Sequence, residues 1–195
     1  MGAVSPTALE TQRLVLEPYT EAHAAQILDY YVRNRAHLEP WEPIRAPQFS
    51  TLDFHRDECT KAERARRRDE YVRFAAFSRD DGALVALFNL WNIRRGVIYC
   101  AIIGYSVDEA HVGRGFATEA GAAVVDYAFG RLNLHRLETS YHPRNERSGR
   151  VLRKLGFAVE GYAREYLRMR GGWQDAILVS RVNPAWAPPA EGASG

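Results

Sequence analysis

The stretch HVGRGFATEA, residues 111–120, is the most sharply punctuated part of the chain and decides the expected fold. Gly113 and Gly115 stand one residue apart, with a basic residue between them, and helix-forming residues follow. A glycine-rich loop between a strand and a helix presents free backbone N–H groups at the positive end of the helix dipole. Such a loop suits a ligand that carries phosphate groups.

Two common phosphate-binding patterns fit this loop poorly. The triphosphate-binding loop requires Gly-Lys-Ser/Thr, but Phe116 follows Gly115. The dinucleotide pattern G-x-G-x-x-G is filled at Gly113 and Gly115 but has Thr118 at its third glycine, although Glu138 lies at a suitable distance for a ribose contact. A dinucleotide fold also needs consecutive parallel β-α-β units, whereas a predicted antiparallel meander precedes this loop. A helix start that needs only a tight turn would explain an isolated Gly-x-Gly.

The hydrophobic pattern predicts a single α/β domain with a mixed, mostly antiparallel sheet in the order βααβββαβαββ. Strands are predicted at residues 13–17, 70–78, 83–91, 97–107, 135–141, 158–169 and 173–182, and helices at 20–33, 50–68, 118–131 and 145–156. Ser50 and Asp53 resemble a capping box. Asp81-Gly82 and Gly171-Gly172 predict hairpin turns. The domain is expected to span residues 11–183, with a flexible segment at 1–10 and a disordered tail at 184–195 that is rich in Pro, Gly, Ala and Ser.

The composition excludes several classes of protein. A length of 195 residues with 46% hydrophobic and 26% charged residues is typical of one soluble globular domain. No apolar run approaches the ~18 residues of a membrane span, and the first residues lack a secretory signal, so a cytoplasmic location is expected. Cys59 and Cys100 are far apart and are expected to be reduced thiols. The six histidines show no metal-binding spacing, so no metal is expected.

The net charge of +2 is too small to make a polyanion the default partner. The run KAERARRR, which contains Arg66, Arg67 and Arg68, allows two interpretations. It is either a surface that faces the ribosome or another nucleic acid, or the solvated end of a helix.

The segment VGRGFA, residues 112–117, resembles the acetyl-CoA loop of the Gcn5-related N-acetyltransferases, which reads Gln/Arg-x-x-Gly-x-Gly/Ala. Gly115 and Ala117 occupy the small positions, while Val112 replaces the usual Gln or Arg. The stretches NRAHLEPWEPIR and YHPRNERSGRVLRKLGFAVEGYAREYLRMRGGWQDAILVSRVNPAW are similar to the RimJ-like branch, which acetylates the N-terminal alanine of a small-subunit ribosomal protein. This resemblance covers roughly Thr11 to Trp186.

The resemblance implies a set of site residues. The residues expected to bind acetyl-CoA are Tyr105, Ser106, Val107, Val112, Gly113, Arg114, Gly115, Phe116, Ala117, Thr118, Asn145, Ser148 and Lys154. Glu165 is expected to act as the general base through water, and Ser148 as the proton donor, with Tyr166 as an alternative donor. The expected acceptor-binding residues are Trp41, Asn89, Trp91 and Glu165.

Each of these roles has a purely structural alternative. Asn145 is a favoured helix N-cap residue, and Ser148 in the first helical turn satisfies local backbone groups. Glu165 is equally a surface ion partner beside Arg164, and Tyr166 a half-buried strand residue. Core packing is the alternative for Trp91. Ordinary surface charge is the alternative for the side chains of Arg114 and Lys154.

The chemistry of the acceptor favours an α-amine. Its pKa of ~7.7–8.0 leaves much of it neutral at pH 7, whereas a lysine amine near ~10.4 is almost wholly charged. The developing oxyanion needs a fixed donor, which a backbone N–H beside residues 105–107 supplies. The resemblance implies transfer of acetyl from acetyl-CoA to an α-amine, most specifically the N-terminal alanine of a ribosomal protein, and the ease of deprotonating an α-amine is consistent with that acceptor. The alternatives are a small-molecule amine as acceptor, or a non-catalytic acyl-CoA sensor or ribosome-assembly factor.

Overall fold

The structure, a computed structural model, describes residues 8–189, which form one eight-stranded sheet with helices on both faces. The strands are β1 (Leu9–Glu10), β2 (Leu14–Pro18), β3 (Val72–Ser78), β4 (Leu84–Arg94), β5 (Cys100–Val107), β6 (Arg136–Tyr141), β7 (Ala158–Met169) and β8 (Gly172–Val182). The α-helices are α1 (Ala24–Arg33), α2 (Arg35–Leu38), α3 (Leu52–Arg67), α4 (Phe116–Asp126) and α5 (Glu146–Lys154).

The strands lie in the order β1-β2-β3-β4-β5-β6-β8-β7. Every neighbouring pair is antiparallel except β5–β6, which is parallel and is connected through α4. The predicted mixed, mostly antiparallel sheet and its order of elements are therefore confirmed, with the short elements β1 and α2 added. Both predicted hairpin turns are present, with Gly82 at φ +70° and Gly171 at φ +91°.

Two apolar clusters sandwich the sheet because successive side chains of a strand point to opposite faces. On β3, Phe74 belongs to the cluster that includes Val124 of α4 and Leu152 of α5. Its neighbour Ala75 belongs to the cluster that includes Ile27 of α1 and other residues of α1 and α3. Burial of both faces holds the central strands rigidly between the two helical layers.

Some predicted boundaries differ from the structure. Thr51, not Ser50, caps α3, because its hydroxyl accepts the N–H of Phe54 at 3.3 Å. The fourth α-helix begins at Phe116, two residues before the predicted start, since Gly115 takes the left-handed conformation that opens it. A π-helical turn at Tyr127–Arg131 continues it.

Packed chain extends past both predicted domain boundaries. Strand β1, which lies within the segment 1–10, pairs with β2. Trp186, in the segment 184–195, donates to the carbonyl of Asn133 at 3.1 Å and lies against the rings of Tyr99 and His135. The remainder of the two segments, residues 1–7 and 190–195, lies outside the described part of the chain. Within residues 8–189, no helix is both long and apolar enough to cross a membrane.

Alanine variants of two valines of β8 test how much core burial contributes to the free energy of unfolding. Val179 is buried with 4% of its surface exposed, whereas Val182 is 47% exposed. We expect Val179→Ala to lower the free energy of unfolding by about 2–3 kcal/mol, since two methyl groups leave the core and a cavity remains. Val182→Ala should change it by less than about 0.5 kcal/mol. Urea unfolding followed by circular dichroism measures both, and equal losses would contradict the described burial.

Candidate active site

A gap opens in the middle of the sheet between β5 and β6. The two strands pair only at Cys100–Arg136, Ala101–Leu137 and Ile102–Glu138. Beyond these pairs, β5 stays paired with β4 as far as Val107, and β6 stays paired with β8 as far as Tyr141. Each strand therefore has an edge that faces the gap and has no strand partner among the described residues. Tyr105, Ser106 and Val107, which were predicted to bind the cofactor, lie on this part of β5.

The glycine loop lies at the end of β5, at the N-terminus of α4. Gly113 and Gly115 have φ values of +82° and +85°, which L-residues adopt only under strain. In the described part of the chain, the N–H groups of Gly113, Gly115, Phe116 and Ala117 have no acceptor, whereas Thr118 and Glu119 both donate to the carbonyl of Gly115. These amides, together with the helix dipole, form a site that suits an anion.

Asp108 anchors the loop to α1. This carboxylate is 4% exposed and accepts hydrogen bonds from Arg33 Nε at 2.7 Å, Asn34 Nδ2 at 2.9 Å and His111 Nδ1 at 3.0 Å. Asn34 Oδ1 in turn accepts the N–H of Glu109 at 2.8 Å. Burial raises the pKa of Asp108, but the hydrogen bonds and the charge of Arg33 outweigh it and lower the pKa to about 2. The group is therefore ionised at neutral pH, and it holds the loop in place.

A second anchor joins the loop to the turn between β1 and β2. Glu119 of α4 accepts hydrogen bonds from Thr11 Oγ1 at 2.6 Å and from Arg13 Nε at 2.7 Å. Arg13 Nη1 then donates to the carbonyl of Arg114 at 3.0 Å, inside the loop. No local sequence pattern marks either anchor, because Asn34 and Asp108 lie 74 residues apart along the chain and Thr11 and Glu119 lie 108 apart.

The N-terminus of α5 reaches the same edge of the gap. Asn145 caps α5, with its Oδ1 accepting the N–H of Ser148 at 3.1 Å. Ser148 Oγ lies 3.1 Å from the hydroxyl of Tyr105 on β5. Burial raises the pKa of Tyr105 to about 12, the hydrogen bond to Ser148 opposing this in part, so the hydroxyl stays protonated at neutral pH. The structure thus brings Asn145, Ser148 and Tyr105 together at the edge of the gap, while their roles in binding acetyl-CoA stay predictions.

A cavity of about 310 Å³, called the inner cavity below, adjoins β5 on the side of α1 and α3. It is lined by Tyr19, Ile27, Tyr31, Glu42, Arg45, Phe49, Phe54, His55, Glu58, Cys59, Arg73, Asn89, Tyr105 and Ser106. Each of its carboxylates is paired with an arginine: Glu42 with Arg45 at 2.5 Å and Glu58 with Arg73 at 3.1 Å. Burial lowers the pKa of His55 and keeps its ring neutral at neutral pH. The cavity is therefore polar but carries no net charge.

The predicted acceptor-binding residues have different surroundings. Asn89 lines the inner cavity. Trp91 is 41% exposed and lies directly over Gly104 of β5, where an added Cβ would come within 2.7 Å of its ring. Trp41 is outside the cavity and packs against His142, with ring centroids 6.2 Å apart. The charged lining of the cavity was missed, although Arg73 within the apolar run of β3 is a signal that could have revealed it.

Glu165 lies on the edge strand β7, within an irregularity of the β7–β8 pairing between Ala163 and Leu167. Its φ of +48° is unusual for a non-glycine residue, and its N–H donates to Asp175 Oδ1 at 2.9 Å. Strand bulges of this kind re-aim side chains and are frequent next to active sites. The side chains of Glu165 and Tyr166 are exposed and make no described contact with Ser148, so their catalytic roles stay predictions.

The cationic side chains and Val112 also stay predictions. Arg114 is exposed and lies 5.3 Å from the ring centroid of Phe116. Lys154 is exposed at the C-terminal end of α5, opposite the end that holds Ser148. Val112 is half-buried, and its N–H donates to the carbonyl of Glu109 just before the free amides. Among residues 8–189, no cluster of three or more His, Cys, Asp or Glu side chains could hold a metal ion, and both cysteines are buried free thiols.

The comparisons agree with this geometry. The sequence model of the acetyltransferase (GNAT) domain matches residues 13–158. The chain is 37% identical to the Bacillus subtilis (strain 168) protein "Probable N-acetyltransferase YjcK", over 90% of this chain and 97% of that one. The ribosomal-protein-S5-alanine acetyltransferase of Vibrio fischeri superposes with a TM-score of 0.90 at 32% identity, covering 94% of this chain and all of that one. Mycobacterium smegmatis RimJ in complex with CoA-disulfide superposes with a TM-score of 0.81 at 30% identity, covering 87% of this chain and 81% of that one.

A mostly antiparallel sheet that divides between β5 and β6, with a glycine loop and a helix N-terminus at the open end, matches the fold of these acetyltransferases. The chain belongs to the GNAT acetyltransferase family, and its close relatives include ribosomal-protein-alanine acetyltransferases of the RimJ-like branch. It is an N-acetyltransferase, and the family uses acetyl-CoA.

Alanine variants of two glycines distinguish the effect of backbone strain on stability from an effect on cofactor binding. Gly115 and Gly82 both have positive φ, at +85° and +70°, but only Gly115 lies in the loop. We expect Gly115→Ala and Gly82→Ala each to cost about 1–2 kcal/mol of stability. Gly115→Ala alone should also weaken CoA binding, by about tenfold, because the added Cβ would lie 3.4 Å from Arg13 Nη2 and disturb the free amides. Isothermal titration with CoA measures this, and equal CoA affinity in the two variants would contradict it.

Proposed function

We propose that this protein transfers the acetyl group of acetyl-CoA to the N-terminal α-amine of a polypeptide, with the alanine terminus of a small-subunit ribosomal protein as its acceptor. One observation carries the proposal: Tyr105 and Ser106 border both the gap beside β5 and the inner cavity, and the free amides of the glycine loop follow at the end of the same strand. The similarity to a ribosomal-protein-S5-alanine acetyltransferase supports the choice of acceptor.

The cofactor is proposed to lie across the gap. Its pyrophosphate binds the amides of Gly113, Gly115, Phe116 and Ala117, with Val112 and Thr118 flanking them. The peptide-like pantetheine arm pairs with the free edge of β5 as an added strand. Asn145 Oδ1 is occupied by the cap of α5, so its Nδ2 is the group that remains to donate to the pantetheine. Arg114 and Lys154 provide positive charge for the outer phosphates.

The acceptor amine is proposed to enter from the inner cavity. A cavity that binds a polyamine needs an excess of carboxylates in its lining. In the inner cavity, Glu42 and Glu58 are each neutralised by an arginine. An α-amine needs no such excess, because much of it is neutral at pH 7. The electroneutral cavity therefore favours a peptide terminus over a polycation.

The reaction is proposed to proceed by direct attack. The amine nitrogen bonds to the thioester carbonyl carbon while a backbone N–H of β5 stabilises the developing oxyanion. Glu165, aimed by its bulge, takes the proton of the amine through water. The carbon–sulfur bond then breaks, and Ser148 gives its proton to the thiolate. The hydroxyl of Tyr105 lies 3.1 Å from Ser148 Oγ and replaces that proton, while Tyr166 stays the alternative to Ser148 as the proton donor.

Contact with the ribosome through the Arg-rich end of α3 stays a prediction. Arg67 pairs with Glu63 at 2.7 Å, and Arg68 lies 3.9 Å from Glu70. Two of the three guanidinium groups are thus partly neutralised by neighbours, which weakens the attraction of this segment for RNA.

Acetyl-CoA and short peptides test the proposed activity directly. We expect CoA to release heat on titration and an alanine-initiated hexapeptide to gain one acetyl group at its N-terminus, as measured by mass spectrometry. Both peptides contain one internal lysine. The control peptide has the same sequence but a blocked N-terminus, and it should remain unmodified. Acetylation of spermidine alone would favour the small-amine alternative, and CoA binding without turnover of any amine would favour the non-catalytic one.

Variants at the two proposed catalytic residues test the mechanism. Glu165→Gln and Ser148→Ala should each lower kcat by about 10²- to 10⁴-fold, the usual contribution of one acid or base. CoA affinity should stay within about twofold for Glu165→Gln. Glu63→Gln, an equivalent change on the surface of α3, serves as the control and should have no effect. Unchanged turnover in Glu165→Gln would remove that residue from the mechanism.

A further inference from the structure

A second cavity, of about 450 Å³ and called the outer cavity here, lies next to the inner one. It is enclosed by α1, α2, the loop before α3 and the tip of the β7–β8 hairpin, which contributes Arg170. Arg170 pairs with Glu39 at 2.5 Å and so ties the hairpin to this loop. The activity proposed above assigns no role to this cavity.

The two cavities share four lining residues, Tyr31, Glu42, Arg45 and Phe49. These four residues form a partition between the two cavities, and Arg45 contacts the other three. Its guanidinium lies 3.7 Å from the ring centroid of Phe49 and 4.5 Å from that of Tyr31. Its Nε donates to Glu42 Oε2 at 2.8 Å, and its Nη2 lies 2.5 Å from Glu42 Oε1. Cation–π contacts with two rings and a bidentate ion pair thus hold Arg45 in one orientation.

Arg45 keeps hydrogen-bonding capacity in this position. A guanidinium has five N–H donors. The pair with Glu42 uses two of them and the hydroxyl of Tyr31 a third, so two stay available for other acceptors. The side chain is partly exposed and borders both cavities. Any chain that passes from one cavity to the other therefore passes these donors. Carbonyl oxygens of a peptide backbone are the matching acceptors, and a simple amine lacks them.

The loop that carries this partition is stiff. Glu42 and Arg45 lie between Pro40 and Pro47, with Pro43 between them, and each proline fixes its own φ and restricts the residue before it. A preorganised donor loses little entropy when it binds its acceptor, so it contributes more to affinity. The partition is thus suited to selecting a ligand by its shape and its acceptors.

We propose that Arg45 determines specificity for peptide acceptors by donating hydrogen bonds to the backbone where it crosses from the inner to the outer cavity. The first residue of the acceptor occupies the inner cavity, beside Tyr105 and Ser106, and the residues that follow occupy the outer cavity. This inference rests on the proposed α-amine transfer and extends it, because it assigns a recognition site to the peptide beyond its first residue.

Acceptor length tests the inference. The acceptors are alaninamide and an alanine-initiated tetrapeptide amide, assayed with acetyl-CoA. The native protein should show a higher kcat/KM for the tetrapeptide. Arg45→Ala should lower kcat/KM for the tetrapeptide by about 10- to 100-fold, mainly through KM, as expected for loss of hydrogen bonds from a charged group. It should change alaninamide turnover much less and leave CoA affinity unaltered. Arg45→Lys keeps the charge but not the planar fork, so its kcat/KM for the tetrapeptide should lie between those of the native protein and Arg45→Ala.

Two further variants separate recognition from stability. Arg56→Ala removes an exposed arginine of α3 that pairs with Asp53 and borders neither cavity, and it should behave like the native protein. Ala46→Trp, at an exposed position that lines only the outer cavity, should remove the advantage of the tetrapeptide without affecting alaninamide. Melting temperatures confirm that each variant is folded.

The possible failures are distinct. Equal losses for both acceptors in Arg45→Ala, or a native protein with no preference for length, would overturn the role of Arg45 and the outer cavity while leaving α-amine transfer intact. A native protein that binds CoA but acetylates neither acceptor would overturn the proposed function and this inference with it.

Discussion

The loss of pairing between β5 and β6 after Ile102–Glu138 is the constraint on which the site depends. In a continuous sheet the backbone groups of Ile103–Val107 would bond to a neighbouring strand and could not bind a ligand. Here both strands are held on their far sides by β4 and β8, so the gap persists without collapse of the fold. Because the strands are parallel, the helices that follow them, α4 and α5, both begin at the open end.

Close packing and buried charge maintain this geometry. Gly149 of α5 lies against Tyr141 of β6, where a Cβ would come within 2.9 Å of the ring, so the helix approaches the strand closely enough for Ser148 to reach Tyr105. On the opposite side, the buried carboxylate of Asp108 fixes the glycine loop through bonds to α1. An ionised group with this many donors tolerates burial because its hydrogen bonds offset the lost hydration. The free amides therefore stay fixed before a ligand arrives.

The two sides of β5 are chemically different. On the side of the gap, unpaired backbone groups and helix N-termini suit a phosphate-bearing, peptide-like cofactor. On the side of α1 and α3, paired charges and aromatic rings form a neutral polar cavity. Tyr105 and Ser106 of this one strand border both regions, so only the width of a strand separates them.

The sequence alone determined the alternation of strands and helices, the hairpin turns, the glycine loop and the family, because each depends on local periodicity or on residues within a few positions of one another. It also placed Asn145 at the N-cap of a helix and Ser148 in the first turn. The Thr51 cap and the packed Trp186 were mispredicted, since adjacent hydroxyl residues compete for a cap and a Pro-rich tail shows no periodicity. Only the tertiary structure decided where the strand pairing stops, which carboxylate anchors the loop and which charges line the cavities. Those features join residues such as Asn34 and Asp108, or Glu58 and Arg73, that approach one another only when the sheet and its helices are packed, and no local pattern encodes that approach.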